Sequence, residues 1–238
     1  MLIYDSSAIY SMIPKNGCTT MRLSIALKNG AIADQSQWNW VHHNNDSFRP
    51  TMRELALASY RFTILRCPYG RLVSCFLDKI VKRTPEAWQF QAAAAGVPDP
   101  GRLTFRKFCT EIVRPPIKTL NIHWRPQVDF LVYDGYDDIY CFENFRDIPA
   151  RLTARTGMTV VDARPFAKHD SSQLKPLPGD ASFADTEVWQ IESILMGGHC
   201  PAPQHFFDSE LKDMIAKAYA ADFSLYRQNF PGWGLFGG

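Results

Sequence analysis

The densest group of side chains able to hold an anion lies near the N-terminus, in the segment Lys15-Asn16-Gly17-Cys18-Thr19-Thr20. An apolar run at residues 8–13 precedes it and predicts a buried strand, and the stretch that follows predicts a helix ending at Asn29-Gly30. The N–H groups of such a turn and the positive end of the helix dipole point at one place. The segment therefore predicts a site for a phosphorylated or sulfated ligand, completed by the lysine and two hydroxyls.

The order of residues in this turn differs from that of the P-loop nucleotide hydrolases. Those proteins carry G-x-x-x-x-G-K-[ST], with the lysine after the glycines. Here Lys15 comes before Gly17, the single glycine of the turn, which disfavours hydrolysis of ATP or GTP. Taken alone, the segment has an alternative interpretation as an ordinary strand-to-helix turn.

A second pair of polar residues follows the next predicted strand, at residues 61–65. Arg66 comes directly after this strand, and Ser74 lies two turns into the amphipathic helix predicted next. In an open parallel sheet, ligands bind at the C-terminal ends of the strands. We therefore expect Arg66 to hold a phosphate and Ser74 to donate a hydroxyl to it. The alternative is a surface arginine and a tolerated helical serine.

Three later segments extend the pattern toward the C-terminus. They are His123-Trp124-Arg125-Pro126-Gln127, residues 136–143 and residues 219–226. In chain order, all five segments resemble those of the sulfotransferase superfamily that uses PAPS (phosphoadenosine phosphosulfate) as sulfate donor. Within it, they are similar to the carbohydrate sulfotransferases that include the chondroitin, dermatan and HNK-1 enzymes.

This resemblance implies a fold and a donor site. The fold is α/β, with a central, mainly parallel sheet flanked by helices, as in P-loop nucleotide-binding proteins. Lys15 would stabilise the leaving oxygen of PAP, the product left by PAPS. The N–H groups of residues 16–20 (Asn16, Gly17, Cys18, Thr19 and Thr20), with the two threonine hydroxyls, would hold the 5′-phosphate, and Arg66 and Ser74 the 3′-phosphate.

It also implies a base and an acceptor region. A sugar hydroxyl needs a general base, and histidine titrates in the right range. In this superfamily the base is commonly a histidine between the two donor segments, where His42 and His43 stand. The pair is not separated by the sequence, and either residue has a packed or surface histidine as its alternative. His123, Trp124 and Arg125 would line the acceptor cleft, with Trp124 stacking on a sugar ring.

The composition of the chain argues against several other classes of protein. The net charge of +2 over 238 residues gives no indication of nucleic-acid binding. No apolar run reaches the length of a membrane span. A lipid-linked acceptor would bring the protein close to a membrane surface. The six scattered cysteines predict buried free thiols, and no metal is expected. A soluble, bacterial-type, cytoplasmic enzyme with one domain over residues 1–238 is predicted, acting on a carbohydrate or glycolipid.

The remaining predicted elements are less regular. Residues 37–43 are interpreted as a short strand, residues 51–54 as a capping box that opens a helix, and residues 138–142 as a strand. Helices are predicted near residues 69–81, 104–112, 148–155 and 210–223. Residues 84–102 are interpreted as an excursion on one face of the domain, and residues 165–184 as a surface loop. Two alternative functions remain: a nucleotide kinase of related fold, and a PAP-binding protein without catalysis.

Overall fold

Four strands form the main sheet of the protein, whose structure is a computed structural model describing all residues except 45, 95, 97, 98, 167–173, 233, 237 and 238. The strands of the described part of the chain are β1 (Leu2–Ile3), β2 (Ala8–Ser11), β3 (Tyr60–Leu65), β4 (Asp138–Cys141), β5 (Lys175–Pro176) and β6 (His199–Cys200). The main sheet has the order β1-β2-β3-β4, with only β1 antiparallel. The predicted α/β fold with a mainly parallel sheet flanked by helices is confirmed.

The helices are short, and most either follow a capping residue or have a proline at their first or second position. They are α1 (Cys18–Lys28), α2 (Trp40–His43), α3 (Met52–Ala56), α4 (Pro68–Cys75), α5 (Pro85–Ala93), α6 (Phe105–Ile112), α7 (Pro115–Lys118), α8 (Ile148–Thr156), α9 (Val188–Met196), α10 (Ser209–Ala218) and α11 (Ala220–Asn229). Helix α4 continues into a π-helical turn, Phe76–Val81. No helix in the described part of the chain is long and apolar enough to cross a bilayer.

The chain forms two compact units, each assembled from two segments. The first unit comprises Met1–Arg66 and Phe130–Lys168, and the second comprises Cys67–Asp129 and His169–Gly238. The single domain expected over residues 1–238 stays a prediction.

The core of the first unit lies between one face of the main sheet and helices α1 and α8. Phe62 is fully buried and stacks on Tyr10 and Tyr60, with ring centroids 5.1 and 5.4 Å apart. Met21 and Ile25 of α1 pack into the same cluster. The β2 and β3 strands are almost wholly buried, which explains their continuous apolar runs.

An aromatic cluster forms the core of the second unit. Phe76 contacts Phe105 and Phe108, and Trp124 meets Phe90 and Phe108 edge-on at 6.0 Å. All five rings are fully buried. The short parallel pair β5–β6 belongs to this unit as well.

Several predicted elements are confirmed by their capping contacts. Thr51 and Glu54 form the predicted capping box of α3. Asp208 caps α10 by accepting a hydrogen bond from the N–H of Leu211. Gly157 ends α8 with φ 64°, in the left-handed region that favours glycine.

The strand predicted at residues 37–43 is wrong. Residues 35–37 form a 3₁₀ turn and residues 40–43 form α2, and among them only Val41 is buried. The Asp34 side chain accepts from the Ser36 N–H and so favours a helical start. With one buried residue, the segment lacks the alternation that a half-buried strand needs.

Other differences concern where helices begin and end. The helix predicted at residues 210–223 is two helices, because Tyr219 at φ −111° and ψ 30° interrupts it. The excursion predicted at 84–102 contains α5, whose signal is Pro85 at its first position. The predicted loop at 165–184 contains β5, and its residues 167–173 lie outside the described residues. Helix α9 was not predicted. The signal for its start is the pair Glu187 and Gln190, which form a reciprocal cap.

The six cysteines are all free, and four of them are buried: Cys67, Cys75, Cys109 and Cys141. Burial raises the pKa of the Cys109 thiol, which keeps it protonated and unreactive. The prediction of buried free thiols is confirmed for these four, while Cys18 and Cys200 are half-buried.

Truncation of Phe62 tests the stacked core of the first unit. We expect Phe62→Ala to lower the free energy of unfolding by about 3–5 kcal/mol, because a fully buried ring leaves a cavity. The control, Met52→Ala, removes a side chain that is 80% exposed and should change it by no more than about 0.5 kcal/mol. Urea unfolding followed by circular dichroism measures both, and equal effects would contradict the packing described.

Candidate functional site

The turn between β2 and α1 forms the centre of the candidate site. Lys15 and Gly17 both adopt the left-handed backbone region, with φ 73° and 78°. Helix α1 begins at Cys18 without a side-chain cap and with no acidic residue in its first turn. The first N–H groups of a helix have no acceptor within it, so those of Cys18, Thr19 and Thr20 form the positive end of the α1 dipole. This arrangement suits an anion.

Asn16 anchors the turn to the sheet rather than facing a ligand. It is fully buried, its Nδ2 donates to the Ile64 carbonyl oxygen at 2.8 Å, and its N–H donates to the Ile13 carbonyl oxygen at 3.3 Å. The expectation that the Asn16 N–H binds the 5′-phosphate is therefore wrong for this structure. Its amide instead holds the turn against β3.

Gly17 lies under two aromatic rings that come from a distant part of the chain. A Cβ atom at this position would lie 3.1 Å from Phe145 Cε2 and 3.4 Å from Phe142 Cε2. Glycine is thus required twice, by the positive φ and by the close approach of the rings. No sequence pattern predicts this contact. Phe142 falls within the segment 136–143 that carries the resemblance, and this is the only signal for it.

Arg66 lies directly beside the turn. Its Nη1 donates to the Lys15 carbonyl oxygen at 2.9 Å, and its Cζ lies 4.4 Å from the centroid of the Phe142 ring. The parallel pairing of Ser11 with Thr63 brings the C-terminal ends of β2 and β3 to the same edge, so the residues that follow each strand meet. Lys15 and Arg66 thereby place two cationic side chains at one strand edge.

Arg22 adds a third cation, one turn into α1. Burial lowers the pKa of its guanidinium, and the nearby Cys18 sulfur acts in the opposite direction. An arginine stays charged at neutral pH even so, because its ordinary pKa lies above about 12. The start of α1 therefore carries positive charge from its side chains as well as from its dipole.

The two threonines of the turn differ in their surroundings. Thr20 is buried, and its Oγ1 accepts a hydrogen bond from the Ala163 N–H at 3.2 Å. Ser24, one turn later, accepts from the Val161 N–H at 2.9 Å. The Thr20 hydroxyl therefore takes part in holding the segment that follows α8, while Thr19 is half-buried.

His42 and His43 are exposed residues at the end of α2. The His42 ring meets Trp38 edge-on, with centroids 5.4 Å apart. His43 Nε2 lies 3.5 Å from Asn39 Nδ2. Each histidine contacts a residue four positions earlier, and the choice between them as base stays a prediction.

The residues predicted to contact the acceptor lie in the second unit. Trp124 is fully buried, and its Nε1 donates to the Ile117 carbonyl oxygen at 2.7 Å. The predicted stacking of Trp124 on a sugar is therefore wrong for this structure, since the ring has no exposed face. Arg125 Nη2 donates to the Thr119 carbonyl oxygen at 2.6 Å, and Ser74 is a half-buried residue of α4.

His123 has contacts that orient its ring. Its Nδ1 lies 2.8 Å from Asn121 Oδ1 and 3.6 Å from Glu86 Oε1. The Lys79 ammonium lies 3.5 Å from the same carboxylate oxygen. Although burial alone would raise it, the pKa of Glu86 is lowered by the Thr84 hydroxyl and the nearby cations.

Three side chains from distant segments hold the main chain around Trp124. Arg71 Nη1 donates to the Arg125 carbonyl oxygen at 2.8 Å, and Tyr219 Oη donates to that of Trp124 at 2.7 Å. The Asp222 carboxylate accepts from the N–H groups of Gln127 and Val128 at 2.8 and 3.0 Å. Burial raises the pKa of Asp222, and the two N–H donors oppose that rise. The segments 123–127 and 219–226 thus build one structural unit.

No group of three or more His, Cys, Asp or Glu side chains in the described ranges is placed to hold a metal ion.

Substitution of Gly17 tests the contact with the two rings. Gly17→Ala should lower the free energy of unfolding by about 1–2 kcal/mol through its left-handed backbone and by about 1–3 kcal/mol more through overpacking. Gly30→Ala is the matched control, because Gly30 has φ 71° and a Cβ atom there would meet nothing within 4 Å. Urea unfolding compares them, and equal losses would refute the ring contact.

Removal of the Asp222 carboxylate tests the two hydrogen bonds that it accepts from the N–H groups of residues 127 and 128. We expect Asp222→Ala to cost about 1–3 kcal/mol of stability, because buried N–H groups lose their acceptors. Asp213→Ala, in the exposed part of α10, should be nearly neutral. Thermal unfolding at pH 7 measures both variants. An Asp222→Ala variant as stable as the wild type would show that these hydrogen bonds contribute nothing to stability.

A comparison with known protein families agrees with the resemblance seen in the sequence. The model of the sulfotransferase family matches residues 4–159, which is well over half of the chain and includes the turn, Arg66 and the Trp124 segment. No curated protein and no solved structure matches it. On the strength of the family match, the chain belongs to the sulfotransferase family.

Proposed function

We propose that the protein transfers a sulfuryl group from PAPS to a hydroxyl of a carbohydrate or glycolipid acceptor. The observation that carries the proposal is the contact of Arg66 with the Lys15 carbonyl at the N-terminus of α1. Membership of the family supports sulfuryl transfer in general. The donor, the acceptor class and the residue roles are the proposed part.

The groups at the turn suit the phosphosulfate of PAPS. They are hydrogen-bond donors or cations: the first N–H groups of α1, the Lys15 ammonium and the Arg66 guanidinium. Phosphate and sulfate oxygens are acceptors that such donors bind. Gly17 gives the turn its left-handed conformation and leaves out the Cβ atom that would meet the Phe142 and Phe145 rings.

Transfer would proceed as an in-line displacement at sulfur. The acceptor oxygen forms a bond to sulfur while the bond between sulfur and the bridging oxygen of PAP breaks. Negative charge grows on that bridging oxygen, so a fixed cation there lowers the barrier. We propose Lys15 for this role, and Arg66 with Ser74 for binding the 3′-phosphate.

The acceptor hydroxyl loses its proton during the attack. We propose that His42 or His43 takes this proton, because a neutral imidazole is a suitable base near neutral pH. Both rings are exposed, as a residue that meets an incoming acceptor needs to be. A cytoplasmic location and a bacterial-type origin remain part of the same proposal.

Binding of PAP and transfer of sulfate test the proposal together. In isothermal titration, PAP should bind and ATP should not. Labelled sulfate should pass from PAPS to a panel of glycans and glycolipids. Lys15→Ala should lower kcat/KM about 10²–10³-fold, the loss typical of one transition-state donor, while Lys217→Ala, on the exposed surface of α10, should not.

The remaining variants separate the steps. Arg66→Ala should weaken PAP binding at least about tenfold, since a charge-assisted hydrogen bond is worth about 1.5–3 kcal/mol. Either His42→Ala or His43→Ala should abolish turnover with PAP affinity retained. Preference for ATP over PAP would indicate a kinase instead, and PAP binding without transfer to any acceptor would indicate a non-catalytic binding protein.

A further inference from the structure

The first unit contains a cavity of about 250 Å³ beside β2. It is half open and is lined mainly by apolar side chains: Met1, Ile9, Met12, Leu55, Phe130 and Val132. Ser11, the last residue of β2, also lines it. Since Ser11 and Met12 both line it, the cavity lies beside the C-terminal end of β2, which leads into the turn.

A directed chain of hydrogen bonds ends at the cavity wall. The Val132 N–H donates to Tyr136 Oη at 2.9 Å, and Tyr136 Oη donates to Ser11 Oγ at 2.7 Å. A hydroxyl has one proton to donate. Because Ser11 accepts from Tyr136, its own proton is the group that it can offer to a ligand.

Arg49 supplies the charge of the cavity and is the only charged side chain among the described residues that line it. No carboxylate of a described residue lies within ion-pair distance of the Arg49 guanidinium. The side chain is exposed at the cavity rim. The polar side chains best placed for a ligand are thus a serine hydroxyl and a guanidinium, both donors, and they select for an anionic or acceptor group.

Exposed apolar side chains occur in the cavity wall and in the chain next to Leu55, which also lines it. Val132 is 53% exposed and Met52 of α3 is 80% exposed. Leu57, directly after α3, is 66% exposed. Helix α3 has no buried residue and reaches the cavity through Leu55. The segment that contributes Leu55 to the wall therefore also carries exposed apolar side chains.

We infer that this cavity binds the acceptor, and that the acceptor is an amphiphile: an apolar group beside an anionic substituent that Arg49 holds. The inference rests on the proposed sulfuryl transfer and narrows its acceptor class. Ligand pockets usually measure about 300–1,000 Å³, so a cavity of this size takes one small apolar group. Its apolar wall favours the lipid-like part of a glycolipid over a free oligosaccharide.

Hexyl phosphate is a probe with both required parts. By isothermal titration, it should bind the full-length protein in the presence of saturating PAP, because the cavity and the turn are separate sites. Arg49→Ala should weaken this binding at least about tenfold, the loss of one charge-assisted contact. Hexanol should bind wild type and Arg49→Ala equally, since the apolar wall is unchanged.

Two further variants act as controls. Arg53→Ala removes an arginine of α3 that is exposed and does not line the cavity, and hexyl phosphate affinity should not change. Leu55→Asp, with its fold checked by circular dichroism, places a charge in the cavity wall and should weaken hexyl phosphate and hexanol alike.

The outcomes distinguish the inference from the proposed function. Displacement of hexyl phosphate by PAP would place the probe in the turn and overturn the inference. Equal losses in Arg49→Ala and Arg53→Ala would show a non-specific charge effect and overturn it as well. In both cases PAP would still bind, whereas loss of PAP binding with hexyl phosphate binding intact would count against the donor site alone.

Discussion

The parallel pairing of β2 with β3 is the constraint on which the candidate site depends. It sets Ser11 opposite Thr63, and the Thr63 hydroxyl donates to the Ser11 carbonyl oxygen at 2.9 Å. Beyond the paired residues, Asn16 reaches the Ile64 carbonyl and Arg66 reaches the Lys15 carbonyl. A shift of one residue in this register would move each of these partners and turn the side chains of β3 to the opposite face.

This arrangement brings cations together where no acidic residue occurs in the first turn of α1. Like charges in proximity disfavour the folded state unless an anion joins them. The main-chain carbonyl of Lys15 and the face of Phe142 hold Arg66 in position. The site is therefore organised in advance for an anion, and less side-chain freedom has to be lost on binding.

The second unit shows that a motif residue need not contact a ligand. Trp124, Tyr219 and Asp222 all belong to segments that carry the resemblance, and the hydrogen bonds described for their side chains are with main-chain groups of their own unit. Buried main-chain N–H and C=O groups need partners. Side chains from distant segments supply these partners here. The presence of Trp124, Tyr219 and Asp222 in a family motif is therefore explained by the folding of a loop as well as it would be by a binding site.

Local patterns determined much of the fold by themselves. The buried runs of β2 and β3, the capping box at Thr51 and the stop at Gly157 follow from preferences that act within a few residues. The same holds for the anion-binding character of the turn, which needs only a lysine, a glycine and a helix start. Segments with weak periodicity, such as residues 37–43, were not determined in this way, because a few local hydrogen bonds decide between strand and helix there.

The tertiary structure decided which polar groups are available to a ligand and which are buried and hydrogen-bonded within the protein. Asn16 and Trp124 have the residue types of a binding site, but burial turns both inward. The rings over Gly17, and part of the wall of the cavity at Ser11, come from residues more than a hundred positions away in the chain. Such contacts depend on how separate segments meet in space, and the sequence alone determined the residue types that the fold then brings together.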